Sequence, residues 1–260
     1  MLTTSLFADD WESCWIPYLQ SNISSGKFHH LALNSDGEVV AWGGDNEDQT
    51  HVPDGLSDVV AVSAGSFQSL ALNSDGKVFA WGRDDHERSY VPDEALSGVI
   101  AVSAGNDHNL ALKSGGEVVA WGSNDEGQTD VPEGLSGVIA VSAGREHSLA
   151  LTSGGAVIGW GRNENNVPYD NQIETPEEAS SDVVAVSAGA YHSLALKSDG
   201  EVIAWGSNGF GQTNVPLDLS DVVAISAGWT NSLALTSDGE VVAWGTVIDS
   251  PVDVPDGDFS

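Results

Sequence analysis

The stretch that decides the fold runs from Val59 to Pro92, "VVAVSAGSFQSLALNSDGKVFAWGRDDHERSYVP". Most of the remaining chain repeats it. Trp-Gly falls at Trp42, Trp81, Trp121, Trp160, Trp205 and Trp244, in steps of 39, 40, 39, 45 and 39 residues. A Ser-(Ala/Ser)-Gly signature keeps pace at Gly26, Gly65, Gly105, Gly144, Gly189 and Gly228. Six copies at a period of about forty residues signal a repeat architecture, which has to be read before any local motif.

Within the unit, "VVAVSAG" and "KVFAWG" are short, rich in β-branched residues and ended by Gly, as strands are. Between them "SLALNS" alternates, with Leu70 and Leu72 on one side and Ser69 and Ala71 on the other. Ser-Asp-Gly or Ser-Gly-Gly then recurs at Gly37, Gly76, Gly116, Gly155, Gly200 and Gly239 and reads as a hairpin turn that needs a positive φ. A weaker fourth strand is expected at "GQTDVP", Gly127 to Pro132, on an outer edge where Pro is tolerated. Four antiparallel strands per repeat, with no helical period, describe the blade of an all-β propeller. The expectation is one closed propeller of four-stranded blades over residues 23–260. Six blades is the direct count; a seventh would have to come from residues 1–22.

Those first 22 residues break the pattern. "CWIPYLQSNISSG" echoes "VPDGLSDVVAVSAG" but is two residues short before Gly26, so the segment is read as an irregular cap or a decayed outer strand. Alternating strand direction sorts the loops. The loops after Ser-Ala-Gly and after Trp-Gly share one face, and the Ser-Asp-Gly turns share the other. Two loops on the variable face are irregular: "GRDDHERSYVP" after Trp81 and the longer "GRNENNVPYDNQIETPEEAS" after Trp160. Insertions gathered on one face of a repeat fold mark a working surface.

The net charge of -31 arises from 39 acidic residues against 8 Lys and Arg. Such a field repels nucleic acid and anionic membranes, so neither is expected as a partner. Cys14 is the single cysteine, so no disulfide forms within the chain. The opening "MLTTSLFADDWES" has neither the basic segment nor the apolar core of a signal peptide, and no apolar run reaches the ~20 residues of a membrane helix. A soluble monomer is expected, with its compartment open.

The motif "AVSAGxxHSLALxSDGxVxAWGxNxxGQTxVP" resembles the repeats of the regulator-of-chromosome-condensation propeller family across residues 23–255. In unit length and in the phrase Gly-Gln-Thr-x-Val-Pro it looks like the bacterial propellers that include a β-lactamase inhibitory protein. That resemblance implies binding of a protein through one face, by aromatic and acidic residues. Those inhibitors have seven blades, so six copies are a departure. The chromatin-bound exchange role fits poorly with so acidic a chain.

The two residues after each Ser-(Ala/Ser)-Gly vary freely and include Phe28, Phe67, Tyr191 and Trp229, whose rings at loop tips suit interface anchors. Tyr169 and Phe210 lie in the loops after Trp-Gly on the same face. Arg83, Arg88, Arg145 and Arg162 all fall in loops of this face, where a planar guanidinium can pair with a partner's carboxylates. The alternative is packing of each ring on the next blade and pairing of each Arg with neighbouring acids. The next position reads His29, Gln68, His108, His147, His192 and Asn231. Gln and Asn in two copies, and the spread of the positions round a ring, favour a hydrogen-bonding structural role over a metal site. The Trp of the Trp-Gly pair, from Trp42 to Trp244, is read as structural in all six copies.

No nucleophile elbow, phosphate-cradling loop or metal triad is present, and no cofactor is expected. The function expected is a non-catalytic protein-binding propeller, in its sharpest form an inhibitor of a bacterial enzyme such as a β-lactamase. A carbohydrate-binding propeller is the second reading and a propeller hydrolase or lyase the third.

Overall fold

The computed structural model describes residues 22–163, 171–247 and 250–251. Each repeat forms one antiparallel sheet. Blade 1 holds β1 (Ile23–Ser25), β2 (His29–Leu33) and β3 (Val39–Gly43), and blade 2 holds β4 (Val59–Ala64), β5 (Gln68–Asn73) and β6 (Val78–Gly82). Blade 3 is β7 (Val99–Ala104), β8 (His108–Lys113) and β9 (Val118–Gly122); blade 4 is β10 (Val138–Ala143), β11 (His147–Thr152) and β12 (Val157–Gly161). Blade 5 is β13 (Val183–Ala188), β14 (His192–Lys197) and β15 (Val202–Gly206). Blade 6 is β16 (Val222–Ala227), β17 (Asn231–Thr236) and β18 (Val241–Val247), extended by the two-residue β19 (Ser250–Pro251).

In blades 2 to 5 the middle strand is buried on both sides, because each of these blades lies between two others. In β5, Ser69, Leu70 and Ala71 have no exposed surface and Leu72 almost none. Leu70 and Leu72 pack with Val99, Ala111 and Trp121 of blade 3, while Ala71 and Trp81 pack with Leu31 of blade 1. Small Ala on one face and Leu on the other let neighbouring sheets approach without voids. The hairpin turns follow the sequence: Gly37, Gly76, Gly116, Gly155, Gly200 and Gly239 have φ between 76° and 87°. That left-handed region is open to Gly at no steric cost.

The expected outer strand at Gly127 to Pro132 is corrected. That segment is a string of turns with no ladder partner, so the blades among the described residues have three strands, except for the short β19. The reason is local. Gln128 Oε1 accepts the backbone N–H of Glu126, and Gln49 and Gln212 do the same for Glu47 and Phe210. The side chain thus folds the backbone into a turn, and Pro132 removes a donor a ladder would need.

The inner strands are stitched round the axis. The hydroxyls of Ser24, Ser63, Ser103, Ser142 and Ser187 each accept the backbone N–H of an Ala in the next blade at 2.9 Å, namely Ala64, Ala104, Ala143, Ala188 and Ala227. Among the described residues the series stops there. At the step from blade 6 to blade 1, Ile23 is 74% exposed and Val223 54% exposed. Among the described residues the serine series does not extend across this step, and the expected closure of the ring is not shown there as a hydrogen-bonded seam. The cap or outer-strand reading of residues 1–22 falls almost wholly outside the described residues, as does the possibility of a seventh blade.

Candidate protein-binding face

A four-part clasp joins each blade to the next and sets the position of the variable loops. Between blades 3 and 4, His108 Nε2 lies 2.9 Å from Ser148 Oγ, which donates to the Gln128 carbonyl at 2.9 Å; Trp160 Nε1 donates to the same carbonyl at 3.0 Å. A hydroxyl has a single hydrogen, so His108 must carry its proton on Nε2. The clasp recurs as His29, Ser69, Gln49 and Trp81, as His147, Ser193, Gln172 and Trp205, and as His192, Ser232, Gln212 and Trp244. In the remaining step Arg88 supplies the carbonyl to Asn109 and Trp121, and Gln68 Nε2 donates to the Gly105 carbonyl at 3.1 Å.

These histidines are structural, as the sequence reading held. Desolvation lowers the pKa of His108 and His147 to about 3 and that of His29 and His192 to about 4. For His147 the neighbouring His108 and His192 lower it further, and for His29 the adjacent His30 does so, against a small opposing effect of Asp45.

The carbonyl hub was missed in the sequence, although a signal exists. Gln49, Arg88, Gln128, Gln172 and Gln212 each stand four residues before a Pro of their own loop: Pro53, Pro92, Pro132, Pro176 and Pro216. Trp42 departs from the expected equivalence of the six Trp. Trp81, Trp121, Trp160, Trp205 and Trp244 are 5–8% exposed, whereas Trp42 is 49% exposed and lies against His30 at 5.4 Å. His30 stands where the other blades carry Ser or Asn, and no carbonyl among the described residues reaches the Trp42 indole.

The two loop sets share one face. The backbone N–H groups of Gly44, Arg83, Ser123, Arg162, Ser207 and Thr246, which follow Trp-Gly, donate to the carbonyls of Phe28, Phe67, Asp107, Glu146, Tyr191 and Thr230 at the tips after Ser-Ala-Gly. At the centre of this face the six Ser-Ala-Gly loops surround a cup of about 620 Å³.

Residues scattered in the sequence meet around the cup as two arcs. Over blades 5, 6, 1 and 2, Tyr191 sits edge-on to Trp229 at 6.3 Å, Lys27 Nζ stands 4.3 Å from the Trp229 ring centre and 5.1 Å from that of Phe28, and Phe28 packs on Phe67 at 4.7 Å. Arg83 ends the arc over Phe67 at 5.4 Å. Phe28 is 42% exposed and its three counterparts are partly buried, so the rings pack on one another and still reach the surface.

Over blades 3 and 4 the face is charged. Arg88 pairs with Asp85 and Asp107, and Glu146 is shared by Arg145 and Arg162. Arg88 is buried, so it organises its loop and does not present a free guanidinium. Arg145 also lies over Tyr191 at 4.8 Å, joining the arcs. Phe210 is 48% exposed in the loop after Trp205. Tyr169 lies outside the described residues.

The repeat family described as regulator of chromosome condensation (RCC1) repeat matches residues 21–49, 59–87, 99–128, 138–166, 183–212 and 222–246. The chain belongs to this family, and its six blades are RCC1-type propeller repeats. Similar solved structures share the fold at low identity. Prp20p from Saccharomyces cerevisiae, described with its binding to Gsp1p and histones, is 20% identical with a TM-score of 0.70, over 86% of this chain and 71% of that one. The ectodomain of the Physcomitrella patens receptor kinase CR4 is 19% identical with a TM-score of 0.71, over 90% and 66%. Human WBSCR16 is 22% identical with a TM-score of 0.68, over 86% and 76%. No curated protein matches the chain.

Proposed function

We propose that this chain is a protein-interaction propeller whose partner docks on the face carrying the Ser-Ala-Gly and Trp-Gly loops. The observation that supports it most is the unbroken run Tyr191, Trp229, Lys27, Phe28, Phe67 and Arg83 over four adjacent blades. Stiff aromatic rings lose little side-chain entropy on binding and offer large apolar area, and the charged arc beside them supplies orientation. Prp20p, of the same fold, binds proteins. The net charge of -31 disfavours the nucleic-acid partner of a chromatin protein. Inhibition of a bacterial enzyme such as a β-lactamase is the sharper form of this proposal, supported by the short repeat and its Gly-Gln-Thr-x-Val-Pro phrase.

The test is an affinity capture with wild type beside a Phe28→Ala, Phe67→Ala double variant, followed by titration of the captured protein against both. A partner bound by wild type and weakened at least about a hundredfold by the folded variant supports this face. Equal binding by both proteins removes it. A purified β-lactamase run in the same titration, with its hydrolysis rate followed, tests the sharper form.

A further inference from the structure

The walls of the central cup are mostly Gly and Ala, with Ser25, Ser66, Asn106 and Trp229 among them, and only two of its side chains carry charge. They are Lys27 and Arg145, and both stand over the ring of Trp229, at 4.3 Å and 5.4 Å from its centre. The chain has 39 Asp and Glu against 8 Lys and Arg, yet among the described residues no carboxylate lines the cup. Lys27 is exposed and has no ion-pair partner among the described residues, and Arg145 pairs with Glu146, which also pairs with Arg162. Two cations drawn to one aromatic ring repel each other. Each is drawn to the electron-rich face of the ring, and both line the cup, where an anion could meet them.

Resting on the protein-binding reading above, we propose that the cup is a socket for the carboxylate of an acidic side chain carried on a protruding segment of the protein partner. Lys27 and Arg145 hold the carboxylate, and the Trp229 ring packs against the methylene stem. The size of the anion follows from the charge around it. The acidic rim begins at Glu146, 3.2 Å from Arg145 Nε, so the site suits one small anion seated on the cations and not an extended one. A nucleic-acid backbone would run out over that rim and meet its carboxylates. Of the polar side chains in the wall, Ser66 and Asn106 bond to each other, which leaves recognition of charge to the cations and to the chain that presents the acid.

The probe is tetraglutamate peptide, with tetraglutamine and acetate as controls, added to the full chain at physiological salt while the tryptophan indole N–H signals are followed by NMR. A Trp229→Phe variant assigns the signal. The expected result is a saturable shift of the Trp229 signal with tetraglutamate, at least about tenfold weaker with tetraglutamine, and weakened about fivefold or more in Lys27→Gln and in Arg145→Gln. Equal shifts from both peptides, or wild-type affinity in both variants, would overturn the socket. A shift saturated by acetate as readily as by peptide would overturn the assignment to a partner side chain. The Phe28, Phe67 capture separates the two proposals: a partner lost by that variant but bound normally by Lys27→Gln and Arg145→Gln keeps the face and discards the socket.

Discussion

His108 donates from Nε2 to Ser148 Oγ across 2.9 Å, from one blade to the next. Because Ser148 passes its own hydrogen to the Gln128 carbonyl, the imidazole is fixed in one tautomer, with Nδ1 bare, buried and unbonded among the described residues. A second proton would have to enter there, beside the backbone of Gly105, and would place a charge in a buried seam. The clasp is a neutral device in a low-dielectric seam.

The first prediction concerns pH. The unfolded chain binds a proton on each of these four histidines near pH 6.5, whereas the folded chain resists until about 4 for His29 and His192 and about 3 for His108 and His147. Their folded pKa values are depressed, so stability is full above 6.5 and falls as the pH drops from 6.5 towards 3. Each group lowers it by up to about 1.4 kcal/mol per pH unit. Few carboxylates titrate above about pH 5.5, so urea unfolding between about 6.5 and 5.5 reads the histidines almost alone. A flat response in that interval would contradict the buried neutral clasp, and His147→Gln should make the slope shallower.

The second prediction concerns the group itself. Blade 2 carries Gln68 at the clasp position, with its amide bonded to the Gly105 carbonyl. His108→Gln should therefore cost about 1 kcal/mol or less, while His108→Ala should cost about 2–4 kcal/mol by opening a cavity and orphaning Ser148. Equilibrium denaturation of the two variants gives the difference, and equal costs would mean that volume alone matters here.

Glycine supplies the third. A Cβ on Gly144 would lie 2.5 Å from the His147 ring and 2.6 Å from the Gly189 carbonyl, whereas one on Gly115 would meet nothing within 4 Å. Gly144→Ala should be among the most damaging single changes, at about 3 kcal/mol or more, because blade spacing must widen. Gly115→Ala should be neutral or slightly stabilising through the unfolded state. Comparing the melting temperatures of both proteins decides it.

The fourth follows from charge. With a net charge of -31 the folded chain repels itself. Raising ionic strength from about 0.01 M to about 0.15 M shortens the screening length from about 30 Å to about 8 Å. The melting temperature should rise by several degrees over that range with sodium chloride. A sucrose series at matched osmolality serves as control, and a flat salt series would mean the charges are already far enough apart.

The sequence by itself determined the repeat, the blade and the sidedness of the loops. The Trp-Gly and Ser-Ala-Gly periods, the alternation around Leu70 and Leu72 and the turns at Gly76 and its equivalents are local, and the strand period of two converts them directly into direction and face. Histidine as a structural residue was also legible, because Gln68 and Asn231 stand in for it. Tertiary structure decided what depends on neighbours. The phrase around Gln128 has the look of an edge strand, yet its carbonyl is wanted by Ser148 and Trp160 of the following blade, and two hydrogen bonds from across the seam outweigh a ladder that Pro132 would break. Arg88 looks like an exposed cation in sequence and is buried between Asp85 and Asp107. Phe28 and Tyr191 are 163 residues apart, and only the return of blade 6 beside blade 1 sets them on one aromatic arc, with Lys27 over Trp229 between them. A repeat tells each residue which way to point; the ring decides which residues it will meet there.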